Sequence, residues 1–216
     1  MDWSVIWANR GLFGSGIVAT VELSAAAIAT GTLLGLLVAA IRTSRIPVLA
    51  QLGRLYLEIF RGTPLLIQML FIYFGAAYLD IADISVFGAA LLALTLYEGA
   101  YIAEIFRSGI EAVPRGQWEA SRVLGLGKAR TFISVILPQT RVIVLPPLVG
   151  QYLSLIKDTS IAVVIGYVEL VRQGQAVIDR EGNPGTAYLT VAVLYFVICY
   201  PLSLLVRRME RKVVTA

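Results

Sequence analysis

Seven polar side chains stand within stretches that are otherwise apolar enough to cross a bilayer: Glu22, Gln68, Glu98, Tyr101, Lys157, Asp158 and Ser160. A carboxylate left unpaired in hydrocarbon is costly, so such groups face a water-filled cavity or a partner. Glu98 and Tyr101 share one helix face, and Glu104 continues it a turn further on. Two carboxylates on one span either line a passage that attracts a cationic or amino group, or pair with Arg107 or Arg61. We assign Glu98 to the passage and Glu104 to ion pairing. Lys157 offers a cation for a carboxylate and Asp158 an anion for an amino group, and a zwitterionic amino acid requires both. The competing reading is a Lys157–Asp158 salt bridge at a helix end. These groups, with Ser160, Gln68 and Glu22, form the candidate substrate-binding set. The acids Glu22, Glu98 and Asp158 point weakly toward a cationic substrate such as arginine, lysine or histidine.

A second group is polar and lies between two apolar blocks, in Pro114-Arg-Gly-Gln-Trp-Glu-Ala-Ser-Arg-Val-Leu-Gly-Leu-Gly-Lys-Ala-Arg130. Pro114 suits a first helical turn, and Glu119 and Arg122 are spaced to pair at i,i+3. Trp118, Val123 and Leu124 supply apolar contacts, and Gly125 and Gly127 stop the helix by taking the left-handed cap conformation. The expectation is a short basic amphipathic helix over about 114–128, held at the membrane surface. An ordinary interfacial loop is the plainer alternative.

The elements that position these groups are membrane spans. The 216 residues are 58% hydrophobic, with mean hydropathy +0.79, well above a soluble domain. One membrane domain, residues 1–216, accounts for the whole chain. Spans are expected at about Gly14–Ile41, Leu55–Leu79, Ser85–Phe106, Phe132–Ile156 and Ala187–Val206, each near or above the ~20 residues a crossing needs. The first lacks a basic n-region and is too long for a signal peptide, so it is expected to be retained. No histidine is present and Cys199 is the only cysteine, which excludes a histidine-dependent triad, a Cys/His zinc site and a disulfide framework. No metal site is expected. No phosphate-binding GxxxxGK[ST] loop occurs.

Basic residues set the orientation. Arg42, Arg45 and Arg54, then Arg107, Arg115, Arg122, Lys128 and Arg130, then Arg207, Arg208, Arg211 and Lys212 make 12 of the 18 lysines and arginines. With five spans they share one side, opposite Asp2, Arg10, Asp80, Asp83 and the loop from Glu169 to Glu181. The N-terminus is therefore expected outside, with the C-terminus and the Glu119 segment in the cytoplasm.

Within the spans, Gly31 and Gly35 have GxxxG spacing, which serves packing inside the subunit or a dimer seam equally well. Glu58 and Arg61 are a turn apart and suited to pairing, while Gly62 and Pro64 favour a bend. Pro146 and Pro147 predict a kink in span four, and Pro201 one in span five. Ile161–Val171 is too short to cross and reads as an outer-surface or re-entrant helix.

Glu119-Ala-Ser121, three residues, Gly125, nine residues and Val135-Ile-Leu-Pro138 resembles the EAA loop of bacterial ABC importer permeases. Ser121 replaces a usual alanine and Val135 a usual isoleucine. Glu58-Ile-Phe-Arg-Gly-Thr-Pro64 and Leu155-Ile-Lys-Asp-Thr-Ser160 are similar to the polar-amino-acid branch. The resemblance implies an all-α membrane protein with five transmembrane helices and the type I, MetI-like permease fold, in the bacterial cytoplasmic membrane. It implies that Glu119, Ala120, Ser121, Arg122, Leu124 and Gly125 couple to two ATPase subunits. Those subunits bind ATP and magnesium, so this chain carries no cofactor and is not an enzyme. It further implies a second permease subunit, identical or similar, an amino-acid-binding protein, and a gate at Glu58, Arg61, Gly62, Thr63 and Pro64. No nucleic-acid partner is expected. The alternative function is an ion-coupled or passive carrier, with Glu98 and Asp158 as coupling carboxylates and no need of the Glu119 segment.

Overall fold

The computed structural model describes residues 3–43, 46–80 and 84–214, with the side chains of 212–214 left out. Asp2, Arg45, Asp83 and the Lys212 side chain, all used for topology, lie outside the described residues. The order is α1 Ser4–Ala8, α2 Arg10–Arg42, α3 Pro47–Gly62, α4 Leu65–Tyr78, α5 Val86–Glu111, α6 Arg115–Val123, α7 Lys128–Thr131, α8 Leu137–Asp158, α9 Leu170–Glu181 and α10 Pro184–Val214. Among the described residues, four helical stretches are long and apolar enough to cross a membrane. A fifth crossing results if the bent pair α3 and α4 counts as one. The five expected spans are thus present, one of them broken.

The hub is α5. Half of its most apolar window is buried, against 11% for α10 at the periphery. Ser85 caps its start, accepting from the Gly88 N–H at 3.1 Å. In lipid, close packing rather than water exclusion holds helices together, and α2 and α5 meet through small residues. A Cβ on Gly35 would stand 2.6 Å from the Ile102 side chain, and one on Gly99 3.0 Å from that of Leu34. Thr30 and Thr95 share a hydrogen bond of 2.6 Å across the same seam. Gly31 and Gly35 therefore serve packing inside this chain. Gly109 does the same for α5 and α8, because a Cβ there would meet Val144 at 2.2 Å.

Span two departs furthest from expectation. Instead of one helix from Leu55 to Leu79, α3 begins at Pro47, ends at Gly62, and meets α4 at 104°. The connection Arg42–Arg54 is thus largely helix. Thr63 and Pro64 both take extended backbone. Pro64 has no N–H to continue the ladder and disfavours helix at the residue before it, so the expected bend falls there.

Span four is longer than expected, Lys128–Ile165. The helix continues through Pro146 and Pro147, and the irregular turn is instead the π-helical segment Phe132–Ile136, just ahead of Pro138. The chain then tightens into a 3-10 segment, Thr159–Ile165, and reverses at Gly166 (φ +87°). The surface helix expected at Ile161–Val171 is therefore displaced to α9. Helix continues through Pro201 in α10.

Candidate functional site

Glu98 is fully buried on α5. Its Oε2 accepts from Gln151 Nε2 of α8 at 3.1 Å, and Oε1 has no partner among the described residues. Gly31 lets α2 close directly over the Glu98 stem within this chain. Tyr101 is half-buried. It accepts a hydrogen bond from the Tyr97 hydroxyl at 3.3 Å, and Arg61 lies 5.3 Å from its ring centroid. Glu104 is an ion-pairing group, bound by Arg42 at 2.8 Å, Arg107 at 2.5 Å and Arg61 at 3.8 Å. Arg107 also pairs with Glu111. Among the described residues Arg61 thus reaches Glu104 and not Glu58, so the expected Glu58–Arg61 pair is replaced by one between elements.

Lys157 and Asp158 diverge. Neighbouring residues on a helix point about 100° apart. Lys157 opens into a recess shared with Leu153, Tyr195, Cys199 and Arg207, while Asp158 lies close enough to Tyr97 and Glu98 to act on them electrostatically. No ion pair joins the two among the described residues. Ser160 is spent locally, its hydroxyl donating to the Lys157 carbonyl at 2.7 Å. Glu22 is exposed on α2. Burial, together with the charges of Glu22 and Glu169, pushes the Tyr167 hydroxyl above its ordinary pKa.

Gln68 has a structural post. Its Nε2 donates to the Phe60 carbonyl at 3.0 Å, the Thr63 carbonyl at 3.1 Å and Thr63 Oγ1 at 2.8 Å. A break in a helix frees backbone carbonyls that lipid cannot satisfy, and Gln68 binds two of them across the α3–α4 elbow. Its Nε2 is thus engaged at the bend, while Oε1 is buried without a partner among the described residues. The five expected gate residues, Glu58, Arg61, Gly62, Thr63 and Pro64, are all exposed around this elbow.

The Glu119 segment forms α6, Arg115–Val123, after Pro114. Gly125 adopts φ +73°, and the Gly125 and Leu126 N–H groups return to the Arg122 and Ser121 carbonyls, both at 3.0 Å. This is the two-bond Schellman stop, which needs a left-handed residue. Gly127 is extended instead and begins α7, so only one of the two glycines is a left-handed cap. Ser121 faces inward at 3% exposure, its hydroxyl donating to the Gln117 carbonyl at 2.7 Å. Trp118 lines a recess with Ile110, Val113 and Arg115. Val123 and Leu124 are 87% and 77% exposed; within this chain they are left largely uncovered. Glu119, Ala120 and Arg122 are exposed beside them. Among the described residues no Glu119–Arg122 ion pair forms.

Sequence reasoning missed Glu169. Fully buried at the start of α9, its carboxylate accepts from the Val171 and Arg172 N–H groups at 2.8 and 2.9 Å and from the Tyr195 hydroxyl at 3.0 Å. Burial pushes its pKa above the ordinary value, against the pull of those three hydrogen bonds. Thr20 accepts from the Leu170 N–H at 3.2 Å, and Asn9 donates to Glu181 at 3.0 Å. Both ends of α9 are thereby tied to the spans. An acidic residue ahead of Leu170, Gly174 and Val177 at i,i+4,i+7 was the available signal.

Among the described residues no group of three or more His, Cys, Asp or Glu is placed to hold a metal. The arrangement is that of a multi-pass helical membrane subunit. At one end the helix α6 leaves apolar and charged side chains exposed. It is a non-catalytic permease subunit with the type I importer fold. The chain belongs to the family described as binding-protein-dependent transport system inner membrane components, whose sequence pattern matches residues 31–215. Such subunits sit in the inner membrane and work with separate ATPase subunits and a substrate-binding protein.

The glutamine transport system permease protein GlnP of Escherichia coli (strain K12) is 38% identical over 213 residues, covering 98% of this chain and 97% of that one. The L-cystine transport system permease protein TcyB of Bacillus subtilis (strain 168) is 36% identical over 202 residues, covering 93% and 86%. A chain from the crystal structure of an amino acid ABC transporter with histidines superposes with TM-score 0.93 at 35% identity, covering 98% and 99%. The MetNI methionine ABC transporter in an inward-facing form has TM-score 0.75 at 21% identity, covering 99% of each chain, and shares the fold.

Proposed function

We propose that this chain carries a polar amino acid into the cell, driven by ATP hydrolysis on two ATPase subunits that seat α6. The observation that carries the reading is the state of α6: stopped by the Gly125 turn, anchored inward through Ser121, and exposing Val123 and Leu124 beside Glu119. Apolar side chains so exposed on a short surface helix fit a partner's cleft. Ala120, Arg122 and Gly125 complete the coupling face. Closure of the ATPase pair moves the two α6 helices, rocks the spans and opens the passage outward. Hydrolysis returns it inward. We place the N-terminus outside and the C-terminus with α6 in the cytoplasm, on the distribution of basic residues. A second permease subunit completes the passage, and an extracytoplasmic amino-acid-binding protein docks on the opposite face.

For the substrate we favour a neutral polar amino acid. Of the three acids behind the cationic reading, Glu98 is fully buried within the chain, which weakens that reading. Relatives that are permeases of glutamine and L-cystine transport systems support the same choice. The test is ATP-driven uptake by proteoliposomes holding the permease, its ATPase and its binding protein. The panel is glutamine, cystine, arginine, lysine and histidine. Uptake of glutamine or cystine ahead of the cationic three supports the reading. Preference for arginine, lysine or histidine assigns the cationic substrate instead, and no amino-acid uptake refutes the class.

A further inference from the structure

We propose that the elbow of α2, α3 and α5 binds an anionic phospholipid, with its phosphate among Arg42, Arg54 and Arg61 and its acyl chains along the outer stripe of α3. The helix α3 has three distinct faces. Gly53, Tyr56, Leu57 and Phe60 turn inward. Val48, Leu52, Leu55 and Ile59, at i,i+4,i+7,i+11, form an apolar stripe with exposures from 48% to 67%. Gln51, Arg54, Glu58 and Arg61 run beside it.

Two recesses, each of about 470 Å³, meet at Arg54 and Glu58. One is polar, lined by Arg42, Arg54, Arg61 and Glu104. The other is walled by Val48, Leu52 and Leu55. Glu104 is already occupied by Arg42, Arg61 and Arg107. A donor is left over, because Arg54 makes no ion pair among the described residues. A cationic recess joined to an apolar trough matches a phosphate joined to hydrocarbon.

The bend places this surface well. The bend turns α3 by 104° from α4, and an exposed apolar stripe beside arginines suits the membrane interface, where phosphates and acyl chains meet. A soluble anion would use the arginines and leave the stripe idle. A two-fold contact with another copy through this face would bring like-charged Arg54 and Arg61 together.

The test is native mass spectrometry of the purified permease–ATPase complex, taken from nanodiscs of phosphatidylcholine mixed with phosphatidylglycerol. Wild type is expected to retain phosphatidylglycerol preferentially, with the preference reduced about fivefold in Arg54→Gln. Leu52→Asn is expected to lower retention of the lipid, and inorganic phosphate is expected not to displace it. Unchanged preference in Arg54→Gln overturns the proposal, as does retention unaltered in Leu52→Asn. Displacement by inorganic phosphate makes the recess a plain anion site. Disulfide formation between two Val48→Cys chains, with Cys199→Ser in the background, makes the face a protein interface. Either result also overturns it.

Discussion

A Cβ added to Gly31 would stand 2.9 Å from both Cβ and Cγ of Glu98. The small residue on α2 and the charged residue on α5 are parts of one arrangement, in which the first permits the second to be enclosed. A side chain at Gly31 must push the helices apart or move Glu98 off Gln151. Gly31→Val is expected to lower stability by about 1–3 kcal/mol, the usual cost of overpacking. Gly150→Ala, on a helix with no atom within 4 Å of the new Cβ, is expected to leave stability unchanged or raise it by roughly 0.5–1 kcal/mol. Thermal unfolding of the purified complex in detergent distinguishes the two.

Gln68→Leu removes three hydrogen bonds from the α3–α4 elbow and keeps the side chain's bulk. It strands two backbone carbonyls, each costing about 1–3 kcal/mol when left unmade in a dry site. The chain is expected to insert but to melt earlier, and proteolysis is expected to cut near Thr63. Gln68→Glu, which cannot donate to the carbonyls while ionised, is expected not to restore the elbow.

The spans were legible because twenty apolar residues admit few alternatives in a membrane. Pro64 made the bend legible as well. What single-sequence reasoning could not reach was which polar groups meet. Gln68 looked like a ligand-binding amide, because nothing in the sequence says that the Phe60 and Thr63 carbonyls lose their helical partners. Arg61 seemed bound to Glu58 by spacing alone, whereas the elbow carries it to Glu104. Lys157 and Asp158 read as a zwitterion clamp until their positions on α8 turned them onto different faces. Glu169 was missed because the Tyr195 hydroxyl that it accepts from lies on a distant span, as does Thr20, which holds the Leu170 N–H beside it.

Glu104 holds arginines from α2, α3 and α5 together. Glu104→Gln leaves three like charges facing one another with a neutral acceptor between them. The loss is expected to be about 2 kcal/mol or more, read as a lower midpoint in thermal unfolding. Glu104→Asp is expected to recover part of it, because the charge returns with a shorter reach.

The Glu169 carboxyl has its pKa raised in the folded protein. The folded state therefore binds the proton more tightly than the unfolded chain does. That contribution is fully present below the ordinary value near 4.5 and is lost as pH rises through the higher folded value. Relative to Glu169→Gln, wild type is expected to gain stability as pH falls from neutral toward 4.5. Melting curves of both proteins across that window check the sign. A difference that stays flat, or widens with rising pH, contradicts it.

The central claim is that α6 transmits ATP hydrolysis to the spans through a face that includes Glu119. The most direct measurement is substrate-stimulated ATP hydrolysis and uptake by the reconstituted complex, compared between wild type and Glu119→Lys. An exposed residue with no ion pair among the described residues is expected to tolerate the change, so the variant inserts normally while stimulation and uptake fall to background. Wild-type uptake in Glu119→Lys, or solute flux from this chain alone in liposomes without any ATPase, would contradict the account.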